Sequence, residues 1–227
     1  MSVESALLLI DKAPGWTSHD VIAYVRGVLK IKKAGHSGTL DPMASGLLIL
    51  LLGKATKSQS EYLGLPKKYS AEVTLGTETD TWDAEGKAEF SLPVPEITEE
   101  ILSKTLKELT GAIKHPIPFY SAKKVNGQAM YKMARMGENI SREAEVTIYG
   151  WDNVALDGNK IRFDVSCSSG TYIRSLAYMI GRRLGTCGHL SKLRRTAIGG
   201  FDVKDATPVE AVKKMTAEDI LKCVKTL

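Results

Sequence analysis

The spacing of apolar and polar residues over the first 53 positions predicts two strands and one helix. The run ALLLID at residues 6–11 predicts a buried strand. Apolar residues then recur at helical spacing over 17–35, where Thr17 or Ser18 can cap a helix. The run GLLILLLG at residues 46–53 is apolar at consecutive positions, which is typical of a strand buried on both faces.

The same kinds of spacing continue through the rest of the chain. KYSAEVTLG, KAEFSL and EVTIYGWDNVALDGNKIRFDVSC alternate as strands do, and the first two flank an acidic turn. Helices are predicted over PEITEEILSKTLKELTG, capped by Thr98 and ended by Gly111, and over GTYIRSLAYMIGRRLG. HPIPFYSAKKVNGQAMYKMARMG predicts a long loop and a short helix near 130–136, and HLSKLRRTAIGGFDV predicts a strand before two short helices. Because strands and helices mix without strict alternation, the predicted class is α+β.

Composition excludes several classes of protein. The 227 residues, 43% hydrophobic and 25% charged, are typical of a soluble globular chain with a sizeable core. The longest strongly apolar run, 47–52, is far shorter than the roughly 20 residues of a membrane helix, and the N-terminus lacks secretory-signal features. Widely spaced cysteines and scattered histidines predict neither a disulfide framework nor a metal site. We therefore expect a cytoplasmic protein without a membrane segment.

Charge is segregated along the chain. The net charge is +5 and the isoelectric point about 9.0. Residues 165–201 and 109–137 contain no acid but several basic residues, whereas 78–100 contain eight acids and one lysine. This distribution favours a basic face that meets nucleic acid, although basic side chains can also simply solvate a surface.

Asp41 is the only acidic residue between Asp20 and Glu61, in a glycine-rich segment flanked by lysines. Because Pro42 follows it, the segment also fits a helix start with Asp41 as the N-cap. Alternatively, the glycines would let the backbone approach a ligand, and the basic neighbours would admit phosphates and keep the carboxylate ionised. These residues alone leave both interpretations open.

Three further residues are candidates for the same chemistry. Arg174 falls in the first turn of its predicted helix, where a cation opposes the helix dipole, so a phosphate or carboxylate is expected beside it unless it is simply exposed. Tyr69 follows two lysines and could stack on an unstacked base or pack across strands. His36 could be a structural histidine or a group that fills space in an RNA. With Asp41, these residues suggest carboxylate chemistry on a nucleotide, with the acid as nucleophile or general base.

Seven stretches of the chain match, in order, motifs of one known family. GHSGTLDPMASGLL resembles the GHxGTLDPxAxGLL signature of the TruB family of tRNA pseudouridine synthases. The other six are DKAPGWTSHDVI, GKATKSQSEYL, KKYSAEVTLGTETDTWDAEG, PIPFYSAKKVNGQAMYKMARMG, CSSGTYIRSLA and HLSKLRRTAIGGF. The resemblance implies the pseudouridine-synthase fold, with a central mixed, mainly antiparallel sheet flanked by helices and an RNA-clamping insertion at about 115–145.

The resemblance implies a role for each candidate residue. Asp41 corresponds to the catalytic aspartate, Arg174 to the arginine that pairs with it, and Tyr69 to the tyrosine that stacks on the flipped uracil. His36 corresponds to the histidine that occupies the space the base leaves. Further candidate RNA-binding residues lie in the matched stretches, namely Lys12, Lys57, Lys123, Lys124, Tyr172 and Arg194. No metal or cofactor is expected, because the isomerisation is redox-neutral.

The implied activity is isomerisation of the T-loop uridine, position 55 in tRNA numbering, by a monomer that binds the T-arm of tRNA. We expect one catalytic domain over 1–227, without the PUA domain that typical bacterial members carry after TAIGGF. Two alternatives are the catalytic subunit of a guide-RNA-dependent pseudouridylase and a tRNA-folding chaperone. Asp80, Asp83 and Glu85 could form a metal loop, but the calcium-loop spacing is not met and an acidic hairpin turn is preferred.

Overall fold

The computed structural model describes residues 4–121, 124–125, 128–129 and 142–226. The chain divides into a first unit, Met1–Ser70 with Leu193–Leu227, and a second unit, Ala71–Lys192. The short helix predicted near 130–136 lies outside the described residues. The expectation of a single catalytic domain over 1–227 stays a prediction.

Most of the predicted strands and helices are present, but β2 lies partly inside the segment predicted as the first helix, and β7 was not predicted. The described strands are β1 Ser5–Lys12, β2 Ala34–His36, β3 Ser45–Gly53, β4 Lys67–Leu75, β5 Thr77–Thr79, β6 Ala88–Ser91, β7 Gly111–Pro116, β8 Lys124–Val125, β9 Gln128–Ala129, β10 Glu143–Asp157, β11 Lys160–Cys167, β12 Gly188–Ile198, β13 Phe201–Asp202, β14 Thr207–Pro208 and β15 Lys225–Thr226. The described α-helices are α1 Ser18–Leu29, α2 Gln59–Gly64, α3 Glu99–Glu108, α4 Ile173–Arg183, α5 Val209–Val212 and α6 Ala217–Lys222. Short 3₁₀ helices cover Lys54–Ser58 and Val203–Asp205.

In the first unit, β1 and β3 form the centre of the sheet. They pair antiparallel, with Leu8 opposite Leu50, and β12 runs parallel to β3 with Arg195 opposite Gly46. Their apolar side chains pack on both faces of the sheet, one set against α1, α5 and α6 and the other against Ala55 and Ile198. The consecutive apolar run is therefore a strand buried on both faces, as predicted.

Helix α1 begins where its sequence predicts, but it ends at Leu29, before the predicted limit at residue 35. Thr17 Oγ1 accepts a hydrogen bond from the Asp20 amide, and the Asp20 carboxylate accepts one from the Thr17 amide, each at 3.0 Å. This reciprocal capping box fixes the start of the helix. Lys30 ends it in the left-handed conformation, with φ of 51°.

In the second unit, the strand order is β12, β4, β11, β10 and β7. β10 pairs antiparallel with both β11 and β7, and β5 pairs with β6 in a separate hairpin. Helix α3 begins at its predicted cap, Thr98, and contacts α4. Mainly antiparallel strands with flanking helices confirm the α+β class.

Two further observations bear on function. In the part of the chain that the structure describes, no helix is long and apolar enough to cross a membrane. Among the same residues, no group of three or more His, Cys, Asp or Glu side chains is arranged to hold a metal ion. The acidic segment between β5 and β6 is the hairpin turn that the sequence favoured.

Candidate active site

Asp41 lies in a tight turn between β2 and β3. The Ala44 amide donates to the Asp41 carbonyl at 3.0 Å, and β3 begins directly afterwards at Ser45, so no helix starts here. The alternative in which Asp41 is a helix N-cap is therefore wrong. The Gly15 amide donates to the Pro42 carbonyl at 2.9 Å, which ties the turn to the segment after β1.

The Lys12 side chain also holds this turn. Its side chain is fully buried, and its ammonium group donates to the carbonyls of Ala13 at 3.1 Å, Trp16 at 2.7 Å and Pro42 at 3.3 Å. We expected an RNA-binding lysine, but a buried ammonium that serves backbone carbonyls is a structural anchor instead. Lys12 thus positions the residue that follows Asp41, and the prediction of a direct RNA contact is corrected.

Ser18 holds the other side of the turn. Its Oγ accepts a hydrogen bond from the Leu40 amide at 2.9 Å and donates to the Leu40 carbonyl at 3.3 Å. Because Ser18 is the first residue of α1, the start of this helix holds Leu40, the residue before Asp41. The Asp41 turn is therefore fixed on both sides.

Arg195, which was not among the candidates from the sequence, lies beside this turn. It is 1% exposed, and its guanidinium donates to the carbonyls of Leu47 at 2.7 Å, Gly38 at 3.1 Å and Thr39 at 3.5 Å. The parallel register of β12 and β3 sets its position opposite Gly46. Gly46 has φ of +106°, and a Cβ atom there would lie 2.2 Å from the Arg195 carbonyl oxygen, so only glycine allows this approach.

The Arg195 guanidinium brings two predicted catalytic residues together. It forms a side-chain hydrogen bond with Tyr69, which is 8% exposed, and its charge interacts with that of Asp41. Burial lowers the pKa of Arg195, whereas Tyr69 and Asp41 oppose this change and favour the cation. Asp41, Tyr69 and Arg195 thus form one cluster in the first unit.

His36 is held as a neutral imidazole near this cluster. Its Nδ1 accepts a hydrogen bond from the Gly38 amide at 3.1 Å, so the hydrogen of the neutral ring is on Nε2. Burial lowers the pKa of His36 to about 4, with smaller contributions from the positive charges of Arg195 and His19. The Gln59 side chain donates to the His36 carbonyl at 3.0 Å, which fixes the strand on the other side.

Arg174 lies in the first turn of α4, in the second unit, and is 4% exposed. Its Nη1 lies 3.4 Å from Oδ2 of Asp83 and donates to the Thr81 carbonyl at 3.0 Å. Its Nη2 donates to the Tyr120 carbonyl at 2.9 Å. The anion expected from the helix dipole is therefore present, as the Asp83 carboxylate. The pairing of Arg174 with Asp41 stays a prediction.

Asp83 is itself held in place by its own loop. Its Oδ1 accepts hydrogen bonds from the Thr81 hydroxyl at 2.6 Å and from the Glu85 amide at 3.1 Å. The neighbouring Trp82 stacks on Tyr178 of α4, with ring centroids 4.5 Å apart. The acidic hairpin turn therefore positions the carboxylate that meets Arg174.

The other predicted RNA-binding residues lie in varied surroundings. Tyr172 caps α4, and its amide donates to Nε2 of His115 at 3.1 Å. Arg194 forms a bidentate pair with Asp11, at 3.0 and 2.7 Å. Lys57 is exposed and lines a groove described below. Lys123 lies outside the described residues, and the structure describes only the backbone of Lys124, in β8.

Comparisons with known proteins agree with this geometry. A family model described as TruB family pseudouridylate synthase (N terminal domain) matches residues 26–173. The chain belongs to the TruB family. A second model, described as tRNA pseudouridylate synthase B C-terminal domain, matches residues 174–224. The resemblance noted in the sequence motifs is thereby confirmed.

Curated relatives of this TruB chain carry one name. The tRNA pseudouridine synthase B of Aromatoleum aromaticum is 45% identical over 217 residues, which cover 95% of this chain and 70% of that protein. The tRNA pseudouridine synthase B of Opitutus terrae is 40% identical over 217 residues, which cover 95% of this chain and 90% of that protein.

Solved structures support the fold of the TruB chain. The structure titled "Crystal Structure of a Cbf5-Nop10-Gar1 Complex" matches with a TM-score of 0.73 and 29% identity over 97% of this chain. A second, "Structure of H/ACA RNP bound to a substrate RNA containing 2'-deoxyuridine", matches with a TM-score of 0.70 and 27% identity over 97% of this chain. This chain spans about 60% of the length of the first and 59% of the second.

Two residues that contact the predicted site residues, one in each unit, were missed for different reasons. Arg195 stands beside Arg194 in an acid-free segment, and residue type alone does not distinguish the buried arginine from the half-buried one. Strand alternation offers a signal, because it places the two on opposite faces. Asp83 was assigned to a turn, and the partner of Arg174 could only be found from the fold.

Proposed function

We propose that this chain is a tRNA pseudouridine synthase that isomerises a uridine of the T loop, at position 55 in tRNA numbering, with Asp41 as its essential group. The observation that carries the proposal is the fixed turn that holds the Asp41 carboxylate near Arg195 and Tyr69. Membership of the TruB family supports the reaction class, and the curated relatives named tRNA pseudouridine synthase B support tRNA as the substrate.

The reaction balances without a cofactor. The N1–C1′ bond of uridine breaks, a C5–C1′ bond forms, C5 loses a proton and N1 gains one. A carboxylate can begin this sequence as a nucleophile or as a general base. Tyr69, next to the buried Arg195, can stack on the uracil and is a candidate to move the C5 proton.

The target base must leave its stack before these atoms can meet. In the proposal, His36 fills the space that the base vacates. A neutral imidazole suits this role, because it can stack and hydrogen-bond among bases without carrying a charge into the RNA. Arg174, held by Asp83, is proposed to pair with Asp41 in the assembled site. The protein is proposed to act as a monomer on the T-arm.

The test is tritium release from a T-arm stem-loop transcript that carries uridine labelled at C5, with purified protein and no added cofactor. We expect release by the native chain and at least a thousandfold slower release by Asp41→Asn, because its amide can act neither as nucleophile nor as base. Asp205→Asn, which changes an exposed acid outside the site, is the matched control and should keep the native rate.

Other outcomes would separate the alternatives. Release that requires an added guide RNA would indicate the catalytic subunit of a guide-dependent pseudouridylase. Absence of release from both the stem-loop and full-length tRNA, with tRNA refolding retained by Asp41→Asn, would indicate a chaperone and overturn the proposal.

A further inference from the structure

Five lysines line a groove of about 910 Å³ in the first unit, which we call the lysine groove. They are Lys30, Lys32, Lys33, Lys54 and Lys57, and all five are exposed. Glu4 is the acidic residue of the lining, and it pairs with Lys54. Within the described ranges the remaining four lysines form no ion pair. The groove therefore presents a concentrated positive charge that the protein itself does not neutralise.

The backbone around the lysine groove is fixed. The Gly53 amide donates to the Lys33 carbonyl at 2.9 Å, and the Lys54 amide donates to the Glu4 carbonyl at 2.7 Å. Lys30 adopts the left-handed conformation, which is uncommon for a residue with a side chain. The lysines therefore project from backbone that is already ordered, so an anion can bind here without first ordering it.

The location of the groove differs from what the sequence suggested. These lysines flank Asp41 along the chain, but they lie where β2 begins and β3 ends, with Ala34 opposite Leu52. Gly46, which meets Arg195, stands near the start of β3, and from it to Gly53 the strand spans about 23 Å at the usual rise of about 3.3 Å per residue. The groove therefore does not supply the local environment of the Asp41 cluster.

The chemistry of the lining selects its ligand. Lysine ammonium groups act as point charges for phosphate. Among the described residues of the lining none is aromatic, so they offer bases no surface for stacking. Its large apolar residues, Leu29 and Ile31, are both half-buried. These features favour a sugar-phosphate backbone, bound without base readout.

We propose that the lysine groove binds the phosphate backbone of the RNA substrate outside the target loop. This inference rests on the proposed function, since it takes the substrate to be tRNA. According to this inference, the groove lysines contribute part of the affinity for RNA and part of the salt dependence of that affinity. They take no part in the chemistry at Asp41.

The test measures binding of an unmodified tRNA transcript between about 50 and 200 mM salt, in an Asp41→Asn background that prevents turnover. The groove variant combines Lys32→Gln, Lys33→Gln and Lys57→Gln. We expect roughly tenfold weaker binding at the low-salt end and a slope of log K against log salt smaller by about 2, since each lost phosphate contact removes about 0.7–0.9. The matched control, Lys204→Gln with Lys214→Gln and Lys222→Gln, also removes three exposed charges from the first unit and should leave the slope nearly unchanged.

A second variant separates lost charge from a disturbed fold. Replacing the same three groove lysines by arginine keeps the charges and should restore the native slope. The inference is overturned if the glutamine variant has the same affinity and slope as its control, or if arginine fails to restore them. Tritium release by the native chain tests the proposed function separately, so either proposal can fail alone.

Discussion

Arg195 in the first unit and Arg174 in the second are both buried, but they are held in different ways. Arg174 has a carboxylate partner, Asp83, at 3.4 Å, and donates to two carbonyls from segments that precede its helix. Arg195 donates to three carbonyls of the strand and loop around the Asp41 turn, and its charge acts on Tyr69 and Asp41. Arg174 is thus held by a carboxylate of the acidic turn between β5 and β6, and Arg195 by the pairing of β12 with β3.

This difference has a consequence for chemistry. Backbone carbonyls offset the burial of Arg195 without neutralising it, so its positive charge acts on Tyr69 and Asp41. The Asp83 carboxylate instead holds Arg174 at a defined place in the first turn of α4. Arg195 therefore acts on its neighbours through its charge, whereas Arg174 is held in place by a carboxylate of its own unit.

The largest effect is expected where the register that holds Arg195 is broken. In Gly46→Ala, the new Cβ would lie 2.2 Å from the Arg195 carbonyl oxygen, and the left-handed φ adds strain. We expect the free energy of unfolding to fall by about 4 kcal/mol, measured by urea denaturation.

Gly27→Ala is the matched control for that experiment. Gly27 lies in α1 at an exposed position, with no atom within 4 Å of a built Cβ, and alanine favours helix by about 1 kcal/mol. The variant should be as stable as the native chain or more so. A small loss for Gly46→Ala would mean that β3 and β12 can separate without harm, and that the register does not hold Arg195.

The second-largest effect concerns Asp83, in the acidic turn between β5 and β6. Asp83→Asn removes the charge that pairs with buried Arg174 while keeping the shape of the side chain. Breaking a buried pair from one side costs about 3 kcal/mol, so we expect lower stability and at least a hundredfold lower kcat. Asp80→Asn, which keeps an oxygen to accept from the Lys87 amide, is the control and should keep kcat. Equal kcat in both variants would show that Asp83 does not support catalysis.

The two arginines also show how far the sequence could be used. Local signals predicted the elements: Thr17 and Thr98 cap their helices, and the apolar run of β3 is buried. Motif resemblance selected Asp41 and Tyr69, which the fold brings to one arginine. That arginine was missed because its partners are backbone carbonyls, which every residue has. Lys12 was misassigned because a buried ammonium cannot be recognised from its neighbours in the chain.

A smaller effect arises at His36, whose pKa is lowered by burial and, to a lesser extent, by the charge of Arg195. The pKa of His36 is lowered to about 4 in the folded chain, mainly by burial, against about 6.5 when unfolded. Between these values the unfolded chain binds more protons, so stability falls as the pH is lowered from 6.5 towards 4. We expect a loss of about 1–2 kcal/mol between pH 6.5 and 5 from this group, measured by urea unfolding. His36→Gln should lack this share of the pH dependence, and an unchanged profile would contradict the assignment.

The smallest effect tests whether the backbone of the loop that holds Arg174 is strained. Trp82, between Thr81 and Asp83, has φ of +59° although it is not glycine. Trp82→Ala and Trp82→Gly both lose the stacking on Tyr178, so the difference between them isolates the backbone. At an ordinary loop position alanine is the more stable by about 0.4–1 kcal/mol. Here glycine should be the more stable by about 1 kcal/mol, because it adopts a left-handed φ without strain. Urea unfolding of the two variants decides the sign, and a more stable alanine variant would show that the loop relaxes once the indole is gone.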